Sequence, residues 1–583
     1  MRKPFLSLVS GLAALAVLLA ACSSSQHRTQ PGPRDDQPVR GGTLTIAATQ
    51  DALILNPLLA QDSAANLINR LVFDSLLRQD DQLQLRPGLA ESLPEVADGG
   101  RKWTFRLRRD VKFHDGQLLT SKDVRFTFEA LFHPGHAGAR TSNFDTLRGA
   151  VALRHTYDTL LTSASAGKLR RDEADRQAVD AWEQWRKGSG AIQTPDPYTV
   201  IFTLDVPSAP TLAYVASLGI LPEHLLKDDI GIKMKDSAFG RSPVGSGRYV
   251  FGEWRPGDRI VLKANDSWWG GRPNIDSVVW RIYASTESAM AALESGEADS
   301  AVVRPASAEH FTHQVQHVRL IEYPTTAYSH VALDLNSDLF RDVRVRQALA
   351  HAVDRDALID RALGGHGTPA WSHATPSRWD YNPDLTRFPY NPTQAAVLLD
   401  KAGWVRGGDG IRANDGKRFA FTLTYTAGQK RDMETAQFLQ TAWRTVGAEV
   451  AIRAVDDATL LETTDASNRE RKQPQAYLLG WELGSEPDSS SLWACDGVFN
   501  DIGYCNLRVD NLLKQGRGEM ALERRKAIYQ EVQAVLAEDQ PYIWLYFPSA
   551  IQGINTRARG PVGGTAAGLY WNLENWWIAP TGG

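Results

Sequence analysis

Three histidines, His310, His313 and His317, recur at helical spacing. On a helix that spacing lines imidazoles along one face, where they would hold a divalent transition metal or form a solvated polar face. No carboxylate or thiol at a fixed offset completes a metal set, so neither a metal nor a cofactor is expected. Cys495 and Cys505 lie in one loop-like stretch. In an oxidising compartment two such neighbours bridge more often than they stay free, and closing so short a loop constrains the unfolded chain by about 2–3 kcal/mol. Two reduced structural thiols are the alternative. Signatures of catalysis are missing: there is no Gly-x-Ser-x-Gly, no His-Glu-x-x-His and no Gly-x-x-x-x-Gly-Lys-Ser/Thr. Gly245-Ser246-Gly247 reads as a turn, without the strand and helix of a dinucleotide site. A secreted hydrolase would need a nucleophile and a base, and no motif marks either.

The third cysteine has a different context. Arg2 and Lys3 precede an apolar run from Phe5 to Ala21, which ends in Leu19-Ala20-Ala21-Cys22. This is a secretory signal. It resembles a bacterial lipoprotein signal, which implies lipidation of Cys22 after cleavage and an extracytoplasmic, membrane-anchored protein, in the periplasm or at the cell surface. Residues 23–41 are rich in Ser, Gln, Pro and Arg and read as a flexible tether.

The remaining chain is too long for one hydrophobic core, so more than one lobe is expected. With 64 basic and 68 acidic residues the net charge is −4, and no basic excess points to nucleic acid. The 17 tryptophans supply aromatic surface for cores or for pockets that hold varied ligands. Strand patterns at 42–47, 103–107, 198–204 and 421–425 alternate with helix patterns at 346–353, 394–402 and 524–536. Thr120 to Asp123 reads as a capped helix start, and 150–190 as an exposed helical excursion. The alternation predicts α/β lobes.

Several segments together resemble a known family. They are Trp103 to Gly116 with Asp123-Val124, Pro243 to Tyr249, Asn265 to Pro273, Leu293 to Asp299, Val343 to Leu349 with Val353 to Arg355, Leu398-Leu399 with Ala402 to Trp404, and Tyr504 to Asn506 with Val509 to Leu513. In this order they are similar to the extracytoplasmic solute-binding proteins of ABC importers, family 5, the oligopeptide, dipeptide and nickel-binding group. The resemblance runs from about Gly41 to the C-terminus.

It implies a two-lobed periplasmic-binding-protein fold (type II, large cluster) with an additional subdomain on the first lobe. The implied divisions are signal 1–22, tether 23–41, first lobe 42–80, extra subdomain 81–240 with a helical insertion at about 140–190, first lobe again 241–310, second lobe 311–535, and first lobe once more 536–583. It further implies a monomeric, non-enzymatic receptor that delivers short peptides to an ABC permease with ATPase subunits. A nickel-chelate or other small-solute receptor, or a receptor coupled to a sensor, is the alternative.

Gly480 to Asp488 resembles the family's pocket-lining stretch, which in peptide binders carries an aspartate for the α-ammonium group. Here Gly484 or Ser485 falls near that position. Trp481, Glu482, Glu486 and Asp488 are therefore the ligand-binding candidates. For Trp481 a core role is the alternative, and for Glu486 and Asp488 a loop-capping role.

Overall fold

The computed structural model describes residues 37–136, 138, 141–464, 475–560 and 563–580. The signal, Cys22 and the tether as far as residue 36 lie outside the described residues. Among the described residues no helix is long and apolar enough to cross a membrane.

The organising element is the strand Tyr542–Asn555. Its first half, Tyr-Ile-Trp-Leu-Tyr-Phe, is buried on both faces, as an aromatic and branched run demands. It pairs antiparallel with Ala327–Leu333 and Gly367–Pro369. Its second half pairs with Val318–Pro324 and Ser300–Val302. One long strand is thereby shared by two α/β lobes. The chain crosses between them at Thr325-Thr326 and at Phe547-Pro548, where the Thr325 hydroxyl donates to the Pro548 carbonyl at 2.9 Å. Pro548 has no N–H to continue the ladder, which suits a position where pairing changes partners. The expected lobe boundaries at 310 and 535 fall within the helices Pro305–Gln314 and Leu522–Asp539.

In the first lobe, Thr43–Ala48 runs parallel to Ser277–Ile282, followed by Arg259–Ala264 and Tyr249–Arg255. A separate sheet of Glu95–Ala97, Lys102–Arg106, Thr199–Thr203 and Ile192–Asp196 carries the helix Ser121–Ala130. That helix starts in a capping box between Thr120 and Asp123. Helix Arg171–Gly188 is held by two indole donors, Trp182 to the Glu129 carbonyl of helix Ser121–Ala130 at 2.9 Å and Trp185 to the Arg148 carbonyl, just ahead of helix Ala150–Ser165, at 2.8 Å. His114 meets Gly245 and Gly247, accepting and donating backbone bonds that lock this sheet to the lobe. A side chain at 245 would strike the Val72 carbonyl, so glycine is required there.

The second-lobe sheet runs Glu449–Val455, Ala420–Thr426, Ala476–Glu482, Ala327–Leu333 and the shared strand. One face buries Val331, Leu333, Leu423, Leu478 and Ile543 under Leu349, Leu399 and Trp443 from three helices. The other buries Tyr328, Tyr477, Tyr542 and Trp544 under Trp493, Leu512 and Val532. Asp354 caps the helix Arg355–Leu363, and the fully buried Arg355 donates to the Trp544 carbonyl at 2.9 Å. That motif joins helix to sheet.

Candidate functional site

The strands Ala420–Thr426 and Glu449–Val455 run parallel, and Ala476–Glu482 joins them in parallel at only two registers, Leu423 to Ala476 and Thr424 to Tyr477. In parallel α/β sheets ligands bind outside the carboxyl ends of the strands. A cavity of about 340 Å³ lies there. It is lined by Thr426, Gln429, Arg431 and Asp457 beyond the strand ends, by Leu478 to Glu482, and by Tyr546 and Pro548 at the crossing.

The strand Ala476–Glu482 pairs along its whole length with Ala327–Leu333 on one side. On the other side, among the described residues, no strand pairs with Leu478 to Glu482. This leaves an open edge facing the cavity, a template for an added extended segment. Gly480 is exposed in the middle of that edge and brings no side chain between it and an incoming backbone.

Charge lines the same cavity. Arg431 pairs with Asp432 at 2.8 Å. Burial disfavours its charge, but Asp432 and Tyr546 more than offset that and hold the guanidinium above its ordinary pKa. Asp457 accepts from the Thr426 hydroxyl at 2.9 Å. Glu482 is exposed on the cavity wall. Trp481 lines the cavity and packs on Phe499 at 5.5 Å between ring centroids.

Two of the sequence candidates, Glu486 and Asp488, do not line this cavity. Glu486 is in contact with Arg525, and both side chains are almost entirely buried. Burial pushes the Glu486 carboxyl up, and Arg525 pulls it back down. Asp488 accepts from the backbone and hydroxyl of Ser490 and pairs with Arg517 at 3.1 Å. Both are loop acids tied to arginines of the helices Leu507–Gly518 and Leu522–Asp539. Their loop also reaches the first lobe, where Gln79 donates to Ser485.

The three histidines do not share one helix face. The helix ends at Gln314, so His317 lies beyond it. His310 binds Glu294 at 3.0 Å, His317 meets the Leu293 carbonyl, and His313 lines a separate cavity with Glu322 and His366. Among the described residues no group of three or more His, Cys, Asp or Glu is arranged to hold a metal ion. Cys495 and Cys505 are joined in a disulfide with Cα atoms 4.4 Å apart.

Sequence reasoning did not single out Asp501, which lies in the loop that the disulfide closes. Burial pushes its carboxyl up to about 6, against a hydrogen bond from the Tyr477 hydroxyl. Its charge reaches the hydroxyls of Tyr328, Tyr477 and Tyr542. Nothing in Asn500-Asp501-Ile502-Gly503 distinguishes it locally from an ordinary turn acid.

Comparison with known proteins places these features in context. Residues 84–501 match the sequence profile of the bacterial extracellular solute-binding proteins, family 5 (middle region). The chain is 29% identical to the oligopeptide-binding protein AppA of Bacillus subtilis (strain 168), over 99% of both chains. It is 31% identical to protein XP55 of Streptomyces lividans, over 93% of this chain and 90% of that one. The solved structure of B. subtilis AppA in complex with a nonapeptide superposes with a TM-score of 0.67 at 27% identity, covering 93% of this chain and 100% of that chain. The substrate-binding protein CtaP of Listeria monocytogenes shares the fold, with a TM-score of 0.75 at 22% identity over 93% of this chain and 100% of that one.

Proposed function

Because the chain belongs to the bacterial extracellular solute-binding proteins of family 5, we propose that it is a receptor that captures short peptides in an extended conformation and hands them to an ABC importer. One observation carries the peptide assignment: the unpaired edge of Leu478 to Glu482 borders a cavity that also holds Arg431, Asp457 and Glu482. A peptide offers what that edge needs, since its backbone supplies donors and acceptors at strand spacing whatever its side chains are. The polar side chains around the edge are suited to a zwitterion. The relatives named above, an oligopeptide-binding protein among them, support the same reading.

The work done is binding and not catalysis. Two lobes joined by two short crossings move as hinged bodies. A ligand that touches both lobes only when they are closed shifts the population toward the closed form by its differential affinity. The permease then reads closure. We assign Cys22 the lipid that would keep the receptor at the membrane. The lobe divisions follow the crossings at 325–326 and 547–548.

Native mass spectrometry of the purified chain, mixed with a library of tri- to nonapeptides, tests the assignment. The expected result is a set of adducts at peptide masses. A protein that ignores every peptide but retains a sugar or a metal chelate would refute it. Incorporation of labelled palmitate into the wild-type precursor, and its loss in Cys22→Ser, checks the anchor.

A further inference from the structure

Away from the two crossings the lobes meet again. Gln79, at the end of the strand Leu77–Gln79 in the first lobe, donates to the Ser485 hydroxyl of the second. The helix Ala209–Ser217 of the first lobe approaches the helix Leu507–Gly518 of the second. Its Tyr214 lies within electrostatic reach of the loop acids: burial raises the phenol above its ordinary pKa, and Glu486 and Asp488 add to the rise. Just beyond the second of these helices, Met520 is half-buried against the hydrophobic core of the first lobe. It sits beside Gly100 and Pro207, which flank the strands Lys102–Arg106 and Thr199–Thr203. A Cβ added to Gly100 would lie 3.2 Å from the Met520 Cγ and 3.2 Å from the Pro207 Cβ. Gly100 has a φ of +92°, a backbone shape that suits glycine and leaves room for the thioether.

Both second-lobe tips are pinned. Ser485 stands between Gly484, whose carbonyl accepts from Arg378, and Glu486, in contact with Arg525. Arg378 is itself buried and pairs with Asp380 at 2.9 Å. Met520 follows Glu519, whose carboxylate accepts from the Ala521 N–H and pairs with Arg524, each at 2.7 Å. Ordering two loops with arginines costs desolvation and conformational entropy. Neither Ser485 nor Met520 lines the cavity beside Leu478 to Glu482, and what both tips touch is the other lobe. A hydrogen bond and a half-buried thioether make a weak contact, small enough for ligand binding and release to override.

We infer that Ser485 and Met520 form a latch that seats on Gln79, Gly100 and Pro207 of the first lobe and sets the open–closed balance of the receptor independently of its cargo. This rests on the reading of the chain as a receptor that closes on peptides, and adds to it a control of affinity separate from specificity. Ligand is held by the closed form, so apparent affinity scales with the fraction of molecules that the free chain keeps closed. Loosening the latch therefore weakens every peptide by the same factor and leaves their order unchanged. A residue in the binding site would change the order instead.

The test uses the full mature chain with Met520→Ala and Ser485→Ala. Native mass spectrometry with a tri- to nonapeptide library selects several retained peptides of unlike sequence, and calorimetry measures each against the three proteins. Met520→Ala should weaken all of them by one common factor, about three- to tenfold, and Ser485→Ala by about two- to fivefold. Single-molecule FRET between dyes on non-canonical residues at the exposed positions Val151 and Val405 counts closed molecules without peptide. Met520→Ala should reduce that closed fraction by the same factor. Affinities that fall for some peptides and hold for others would make the two residues ligand contacts and overturn the latch. Unchanged affinities in both variants would overturn it too, with the peptide reading intact. If wild type retains no peptide, the peptide reading fails and the closed fraction alone decides: a fall in Met520→Ala upholds the latch, and an unchanged fraction overturns it.

Discussion

The second-lobe sheet has two faces built from the same strands and very different interiors. Toward the helices Val343–His351, Pro392–Lys401 and Lys430–Thr445 the interior mixes aliphatic side chains with the rings of Phe340, Phe419, Phe421 and Trp443, and two of its polar aromatics are hydrogen-bonded: the Trp443 indole donates to the Leu349 carbonyl at 3.0 Å, and Tyr546 shares a hydrogen bond with Thr435 at 3.3 Å. Toward Trp493 the interior is richer in tyrosine, and the Tyr328 hydroxyl and the His330 imidazole have no hydrogen-bond partner among the described residues. The first face is organised for stability. The second buries more hydroxyls, which has a free-energy cost wherever they are not hydrogen-bonded.

Substitutions that separate these roles would sharpen or break the contrast. The largest effect is expected at Trp443, which is fully buried on the satisfied face. Trp443→Ala should lower stability by about 3–5 kcal/mol in urea unfolding and leave peptide affinity of the folded fraction unchanged. A comparable loss, about 3–5 kcal/mol, is expected for Glu486→Ala, which strands Arg525 in the interior. A variant at 486 that unfolds like wild type but fails to bind peptide would restore that acid to the site.

A smaller effect, of defined sign, belongs to His330. It stacks on Tyr542 at 3.9 Å, and burial lowers its pKa from 6.5 to about 3. The unfolded chain therefore takes up a proton below pH 6.5 that the folded chain refuses until about pH 3, so stability falls as pH drops through that window. Between pH 7 and 5 the loss is about 2 kcal/mol. His330→Phe keeps the stack and should flatten this part of the pH–stability curve. An unchanged acid limb would show that the imidazole is not buried in its neutral form. Asp501 acts in the opposite sense: its folded value is raised to about 6, so its burden grows as pH rises from the ordinary carboxylate range to about 6. The smallest effect is expected for Tyr477→Phe, which removes a buried hydroxyl that faces Asp501. Unfolding should move by less than about 1 kcal/mol, or toward greater stability. A loss of 2 kcal/mol or more would mean that the hydroxyl is satisfied and that the two faces are alike.

Local signals in the sequence were reliable where the physics is local. The Thr120 and Asp123 capping box and the Asp354 cap lie where the pattern of polar residue before apolar run puts them. The tryptophan Trp182 anchors the charged excursion that its spacing marked as helical. Long-range pairing was not legible. The arginine partners of Glu486 and Asp488 were hidden because Arg525 and Arg517 lie 39 and 29 residues away. The open edge of Leu478 to Glu482 depends on which strand fails to extend beside it. Asp501 depends on three tyrosines brought in from three strands. His310, His313 and His317 diverge because the helix stops at Gln314, at a point where the sequence carries no glycine or proline.

The shared strand Tyr542–Asn555 has one more consequence. Tyr323 lies opposite Ala550 and Pro324 opposite Ser549, so the chain leaves the first lobe and re-enters it at adjacent points. Everything from Thr325 to Pro548 is thus a contiguous cassette spliced into a hairpin. Recombination at those two points could exchange the recognition half of such a receptor wholesale, without rewriting the half that carries the chain's two ends.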